Sequence, residues 1–293
     1  MPLFTQPIPF AEALQSRSIR SNLPTTLGSR DLSELSGEVK RLANFSARMA
    51  NAKMLDAISS GAQRMIDGEL DPATFRQELQ QLAKAIGARG EEGELGTIKD
   101  FASEQRTALI VDTTSHMADS YGNFAQGQNQ DVLDAYPAQE LYRAEERKEK
   151  RDWEQRWMEA ARAAGDEDAI RVLSETGRMI ALKDSQIWDE LGNPANFDDA
   201  LGNPFPPFAF TSGMDVRDVA RSDAIAIGLM DATDSVEPRD LGIEDLAKQS
   251  LELRDQHLES EILRQLGDAV EFKDGVLQLK GSGSRPSTLD SQL

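Results

Sequence analysis

Apolar residues recur at threes, fours and sevens from Leu35 through Val39, Leu42, Met49, Leu55, Ile58 and Ala62 to Met65, the spacing of one helix face. Asp31 followed by Glu34 supplies a capping-box start and Gly68 a stop. This pattern predicts one continuous helix over about residues 32–67, roughly 50 Å long at 1.5 Å per residue. A second helix is expected from Asp71-Pro72, with proline at its first position, along Phe75, Leu79, Leu82 and Ile86 to Gly87. A third is expected from Thr97, with Asp100 three residues on, to about Phe124. Ahead of these helices, residues 1–30 hold Pro2, Pro7, Pro9 and Pro24 with little periodicity, which predicts an extended arm that needs a partner surface to become ordered.

From Gln139 the period changes. Leu141-Tyr142-Arg143-Ala144-Glu145 alternates as a short strand does, and Trp153 and Trp157, four apart, share a helix face. Residues 177–183 read as another strand, after which Asp184 is placed to cap a short helix over 185–191 containing Ile187 and Trp188. Asn193-Pro194, Asn203-Pro204 and Pro206-Pro207 punctuate an irregular stretch over 192–215, because proline lacks an N–H and biases its predecessor away from helix. Phe205, Phe208 and Phe210 are expected to anchor that loop by burial. Residues 216–230 and 244–266 read as helices, and Asp274-Gly275 signals a hairpin joining 269–272 to 276–279. The tail over 281–293 is serine-rich, and no internal repeat is visible.

The expected class is therefore α+β, mostly α: long N-terminal helices, a compact mixed α+β body with a proline-rich loop, then a C-terminal helix and β-hairpin. The expected units are an arm (1–30), a helical domain (31–130), the α+β body (131–232), the C-terminal helix plus hairpin (233–280) and a flexible tail (281–293).

Charge narrows the function. The chain of 293 residues carries 32 Lys plus Arg against 51 Asp plus Glu, a net charge of −19, which opposes broad binding to phosphate backbones. Zero cysteines exclude disulfides and thiolate sites, and two histidines, His116 and His257, leave few routes to a metal. No run approaches the roughly 20 apolar residues that span a bilayer, and no Sec-type leader is visible, so no membrane association and a soluble cytoplasmic origin are expected. No P-loop, dinucleotide fingerprint, metalloprotease helix or nucleophile elbow is present, and no cofactor is expected.

Three features carry residual chemistry. Asp112 and His116 are spaced to meet on one helix face, and Lys183-Asp184 is either an acid and base pair or a structural cap; together they are the basis of an alternative hydrolase or transferase reading. His257 is read as a surface residue. The ridge over 143–156 holds Arg143, Arg147, Lys148, Lys150, Arg151 and Arg156 among Glu145, Glu146, Glu149, Asp152 and Glu154. It is read either as a solvated face with local ion pairs or as a DNA-contacting surface.

Four motifs occur in order. They are Tyr136-Pro137-Ala138-Gln139-Glu140-Leu141-Tyr142; Arg151-Asp152-Trp153 with Arg156-Trp157; Gly177 to Ser185 with Trp188; and Gly202-Asn203-Pro204-Phe205-Pro206-Pro207-Phe208-Ala209-Phe210. This succession resembles the Mu F-like phage minor head proteins of the head morphogenesis family, over about residues 100–230. The resemblance implies a non-enzymatic virion component, made in the infected bacterium's cytoplasm and located in the head. It would be present in multiple copies, associated with portal protein or major capsid protein, with packaged DNA as a further contact, and would act in head morphogenesis and DNA packaging or delivery. Many family members end the domain in a His-Pro-x-Cys-Arg-Cys pattern that looks like a metal site; here Pro206 to Phe210 offers no ligand, so hydrophobic anchoring is expected instead. On this reading Phe4, Phe10, Leu35, Val39, Leu42 and Met49 contact the partner. Trp153, Trp157, Lys183, Asp184, Trp188, Phe205, Pro207, Phe208 and Phe210 are the structural signature.

Overall fold

The computed structural model describes residues 11–147, 151–242, 245 and 248–280. Phe4 and Phe10 of the expected arm, Lys148 and Lys150 of the ridge, and the serine-rich tail lie outside the described residues. Helix accounts for 51% and strand for 12%, the mostly helical α+β balance the periodicities imply.

Residues 11–30 are not an extended arm. They form α1 (Ala11–Ser18) and β1 (Ser21–Asn22), and Ala13, Ile19, Leu23 and Leu27 are all buried. Residues 32–67 are not one helix either: they divide into the end of α2 (Ser29–Ser33), then α3 (Gly37–Leu42), β2 (Ala43–Asn44) and α4 (Ala52–Ile66). Strand pairing breaks the helix. β2 lies parallel to β1, with Ser21 opposite Ala43 and Asn22 opposite Asn44. The Asn44 amide donates to Asn22 Oδ1 (2.8 Å) and to the Leu55 carbonyl (3.1 Å). Arg48 then turns the chain at φ 61°, and Asn51 restarts a helix by accepting from the Met54 N–H. The apolar spacing survives because both pieces face a core, though different ones. Leu35, Val39 and Leu42 pack with Ile19, Leu23 and Leu27. Met49, Leu55 and Ile58 pack instead with Phe75 and Leu79 of α5 (Pro72–Ala85) and Ile110 and Val111 of α6 (Glu104–Gly127).

Asp71 caps α5 as expected, accepting from Ala73 and Thr74 N–H groups at 3.0 Å. The start of α6 is displaced from Thr97 to Glu104. Ser103 is its cap, while Asp100 folds back to accept from the N–H groups of Gly90, Gly96 and Ala102 and so holds the preceding loop.

The body follows: α7 (Gln130–Ala135), β3 (Ala138–Arg143), α8 (Trp153–Ala164), α9 (Glu167–Thr176), β4 (Met179–Leu182), α10 (Ile187–Leu191), β5 (Met214–Val219) and α11 (Arg221–Ala226). Its sheet is antiparallel in the order β4-β3-β5, and Glu140 stands opposite both Ile180 and Arg217. The helix expected over 216–230 is thus a strand followed by a short helix. Met214 to Arg217 alternates apolar and charged residues before Asp218 breaks the pattern, and β3 supplies the partner edge that a strand here needs.

Ser250 accepts from the Leu253 N–H and caps the C-terminal helix (Leu251–Leu266), so the helix expected from residue 244 is interrupted there. Then β6 (Val270–Lys273) and β7 (Val276–Leu279) make the expected hairpin, with Asp274 at φ 52° and Gly275 at φ 75°. This hairpin clasps the other end of the chain. Leu277 N–H donates to the Pro24 carbonyl (2.9 Å), and the Thr26 N–H and Thr25 hydroxyl donate to the Leu277 carbonyl (3.1 and 3.0 Å). Leu23, Leu27, Leu258, Ile262, Val270 and Leu277 consequently share one core, uniting the expected arm and the expected C-terminal piece.

This end-to-end layer meets the body at a backbone contact. A Cβ on Gly202 (φ 78°) would fall 2.2 Å from Gly37 Cα, so neither glycine has room for a side chain. Arg41 Nη1 donates to the Gly202 carbonyl (2.7 Å), and buried Lys40 Nζ donates to the carbonyls of Ser33 (2.9 Å) and Ala200 (3.3 Å).

Candidate functional site

The signature tryptophans meet at the centre of the body. Asp152 caps α8 by accepting from the Gln155 N–H (2.9 Å), which places Trp153 and Trp157 on the inward face. Trp157 meets Trp188 edge to face at 5.4 Å, and Trp188 stacks on Phe208 at 6.1 Å. Such ring pairs add about 0.5–1.5 kcal/mol each beyond their burial. Both indole N–H groups are used: Trp157 donates to the Ala169 carbonyl (3.3 Å) and Trp188 to the Leu182 carbonyl (2.8 Å). The proline loop is held from two sides. Phe208 enters this cluster, while Phe205 turns to the other core and packs against Tyr121 and Phe124, at 5.7 and 5.5 Å. Pro207 is buried between them. Phe210 departs from expectation: at 44% exposure it is a surface side chain, as is Tyr136 at 44%.

Lys183 and Asp184 are adjacent in sequence but serve different neighbours. Lys183 is buried with Nζ 2.8 Å from Asp218, while Asp184 accepts from the Glu237 N–H (3.4 Å). Asp184 does not cap α10. The N-cap position of that helix is Gln186, with no side-chain cap bond, and the Ser185 hydroxyl just ahead accepts from the Ile187 N–H (3.2 Å) and donates to Asp166. Burial raises the Asp184 pKa above the ordinary carboxylate value.

The ridge divides in the same way. Arg156 is buried, so it is not a DNA-facing residue. Its Nε and Nη2 donate to the Leu191 carbonyl (3.2 and 2.7 Å), its Nη1 to Asp199 (2.6 Å), and its guanidinium lies 4.0 Å from the Phe197 ring centroid and 4.9 Å from that of Trp153. Arg151 pairs with Asp199 and donates to the Phe210 carbonyl, and Arg147 pairs with Glu145. Among the described residues of the ridge, these acids pair with Arg147, Arg151 and Arg156, and Arg143 is half-buried at the end of β3. On the sheet, buried Glu140 is held by Arg178 (2.6 Å) and Arg217 (2.8 Å). Burial alone would raise its pKa; the two guanidiniums reverse that and hold it below the ordinary value.

The expected partner contacts Leu35, Val39, Leu42 and Met49 are all 4% exposed or less. They are core residues of this chain, which corrects their assignment to a partner surface. The four side chains of the alternative catalytic reading do not converge. Lys183 Nζ lies beside Gly127 at the C-terminal end of α6, whereas His116 and Asp112 lie roughly 16 and 22 Å back along that helix at 1.5 Å per residue. His257 Nε2 sits 3.1 Å from Glu38 on the surface. Among the described residues no cluster of three His, Asp or Glu side chains is arranged to hold a metal, and no helix is long and apolar enough to cross a membrane.

A cavity of about 650 Å³ opens where α1, β1, α4 and the C-terminal helix meet. It is lined by Arg17, Arg20 and Arg254 and was missed by the sequence reading, which took residues 1–30 as an arm. A signal was present: between Glu12 and Asp31 the chain carries Arg17, Arg20 and Arg30 and no acid. Comparison of the chain with protein-family models, with curated proteins and with solved structures yields no match.

Proposed function

We propose that this protein is a minor head protein of a bacteriophage. In this reading it is a structural component that docks on the portal or major capsid protein during head assembly, with no catalytic step of its own. The observation that carries the reading is the convergence of the four ordered motifs. The strand Ala138–Arg143, the pair Trp153 and Trp157, the segment ending at Trp188 and the loop with Phe208 contribute to one packed body. Residues spread over some seventy positions of sequence are thereby explained as parts of a single unit.

Packing accounts for the inward motif residues and leaves Tyr136 and Phe210 over. Large aromatics on a surface suit a protein interface, where Tyr and Phe are enriched. They replace the buried leucines as the partner-facing residues of this reading.

The test is co-expression of the full chain with the portal and major capsid proteins of the same phage, followed by pull-down and sizing. Co-purification with one of them is expected, and a Tyr136→Ser, Phe210→Ser double variant should melt as the parent does yet bind more weakly. A full chain that binds neither protein would overturn the reading.

A further inference from the structure

Arg17 is 4% exposed, yet its Nε and Nη2 have no hydrogen-bond partner. The Nε atoms of Arg20 and Arg254 are buried and unpartnered as well. Among the described residues no carboxylate lies within ion-pairing distance of these three guanidiniums, in a chain whose acids outnumber its bases by nineteen. Buried donors are almost always satisfied, and an unpaired buried charge is costly. The three arginines instead line the same cavity, with the hydroxyl-bearing residues Ser18, Ser21, Ser59 and Ser60 and the amides of Asn22 and Gln63.

We propose that this cavity is a binding site for a phosphate group, carried by a small phosphate monoester or present as the free ion. Nε and Nη2 are donors of one guanidinium edge that is covered as the side chain stands; turned to the cavity, that edge suits two oxygens of a tetrahedral dianion. A monocarboxylate would neutralise one arginine, whereas a phosphate dianion matches two. Asp56 and Asp255 also line the cavity and set its selectivity. Asp56 is engaged by the Asn22 amide, and against the three arginines the two acids leave one net positive charge, too little for a polyanion strand. Burial, and then repulsion from Arg20, draw the Arg17 pKa down to about 9; burial, and then repulsion from Arg41, draw Arg20 down to about 10. At about 650 Å³ the cavity exceeds a bare phosphate and falls in the range of small-ligand sites.

The full chain should be titrated by calorimetry and thermal shift with inorganic phosphate and, separately, a nucleoside monophosphate, against sodium chloride at matched ionic strength. Saturable one-to-one binding is expected with a gain in melting temperature that chloride does not reproduce. Tighter binding of the nucleotide identifies an ester as the ligand, and equal binding identifies the ion. Arg17→Met should weaken binding by about tenfold or more, as loss of a charge-assisted pair does. The same variant should melt higher than the parent when phosphate is absent, because it removes a buried unpaired charge. Arg254→Gln, half-buried at the cavity wall, should weaken binding without that gain. A response equal to that of chloride, or an Arg17→Met chain that binds as the parent does, would overturn the proposal.

Discussion

Lys40 shows how much a single side chain can be asked to do. Its ammonium joins the last residue of α2 to the body through two carbonyl oxygens, with no carboxylate paired to it among the described residues, and burial draws its pKa down to about 8. Between about pH 8 and the ordinary lysine value of 10.5, the unfolded chain therefore binds more protons than the folded one, and stability rises with pH across that window. Below about pH 8 both states are protonated and the penalty is constant. Denaturant titrations at several pH values should show the parent gaining on Lys40→Met as pH rises through this window; parallel pH dependences would contradict it. Residue identity alone did not foretell this. Lys40 sits at an ordinary helix position, and only the approach of Ala200, 160 residues on, buries it. Trp157, Trp188 and Phe208 were legible as core because their size and helical or loop spacing leave few alternatives. Phe210 was not, since a run of aromatics and prolines does not say which ring faces out.

At the level of elements, local signals were reliable where the chain closes its own turn. The Asp71-Pro72 cap and the Asp274-Gly275 hairpin both depend on atoms a few residues apart. The strand at Met214–Val219 and the break between α3 and α4 depend on partners elsewhere, β3 and β1, so periodicity could not reveal them. Two glycines separate these kinds of constraint. Gly275 has φ 75° and open space around an added Cβ, so Gly275→Ala should cost about 1 kcal/mol through backbone conformation alone. Gly202→Ala adds a collision with the Gly37 backbone and should cost distinctly more in the same denaturation measurement. Equal costs would mean that the two layers do not touch as described.

The whole molecule is organised by its ends. A chain beginning at Asp31 would lack Ile19, Leu23 and Leu27, which are 3% exposed or less. At roughly 1.5–3 kcal/mol for each buried apolar side chain, that loss rivals the whole stability of a typical domain, commonly about 5–15 kcal/mol. Such a chain should be aggregated or should melt far below the parent by calorimetry, whether or not a partner is present. A well-folded product with an unchanged melting temperature would show that residues 11–30 are dispensable. The joining of residues 11–30 to the C-terminal hairpin was not legible from composition, because it rests on contacts between Thr25 and Leu277 that leave no periodic trace.

That clasp also sets an order of events during synthesis. Its two sides are separated by 252 positions, so at about 5–20 residues per second the ribosome makes the second side roughly 10–50 s after the first. The tryptophan-centred core draws its buried residues from the stretch Leu141 to Met214, all of which is synthesised in the interval. The opening segment meanwhile carries Ile19, Leu23, Leu27 and Leu32 with part of their core still untranslated. Synthesis thus completes the middle of the chain before the core around Leu23 and Leu27, whose Val270 and Leu277 arrive with the final hairpin.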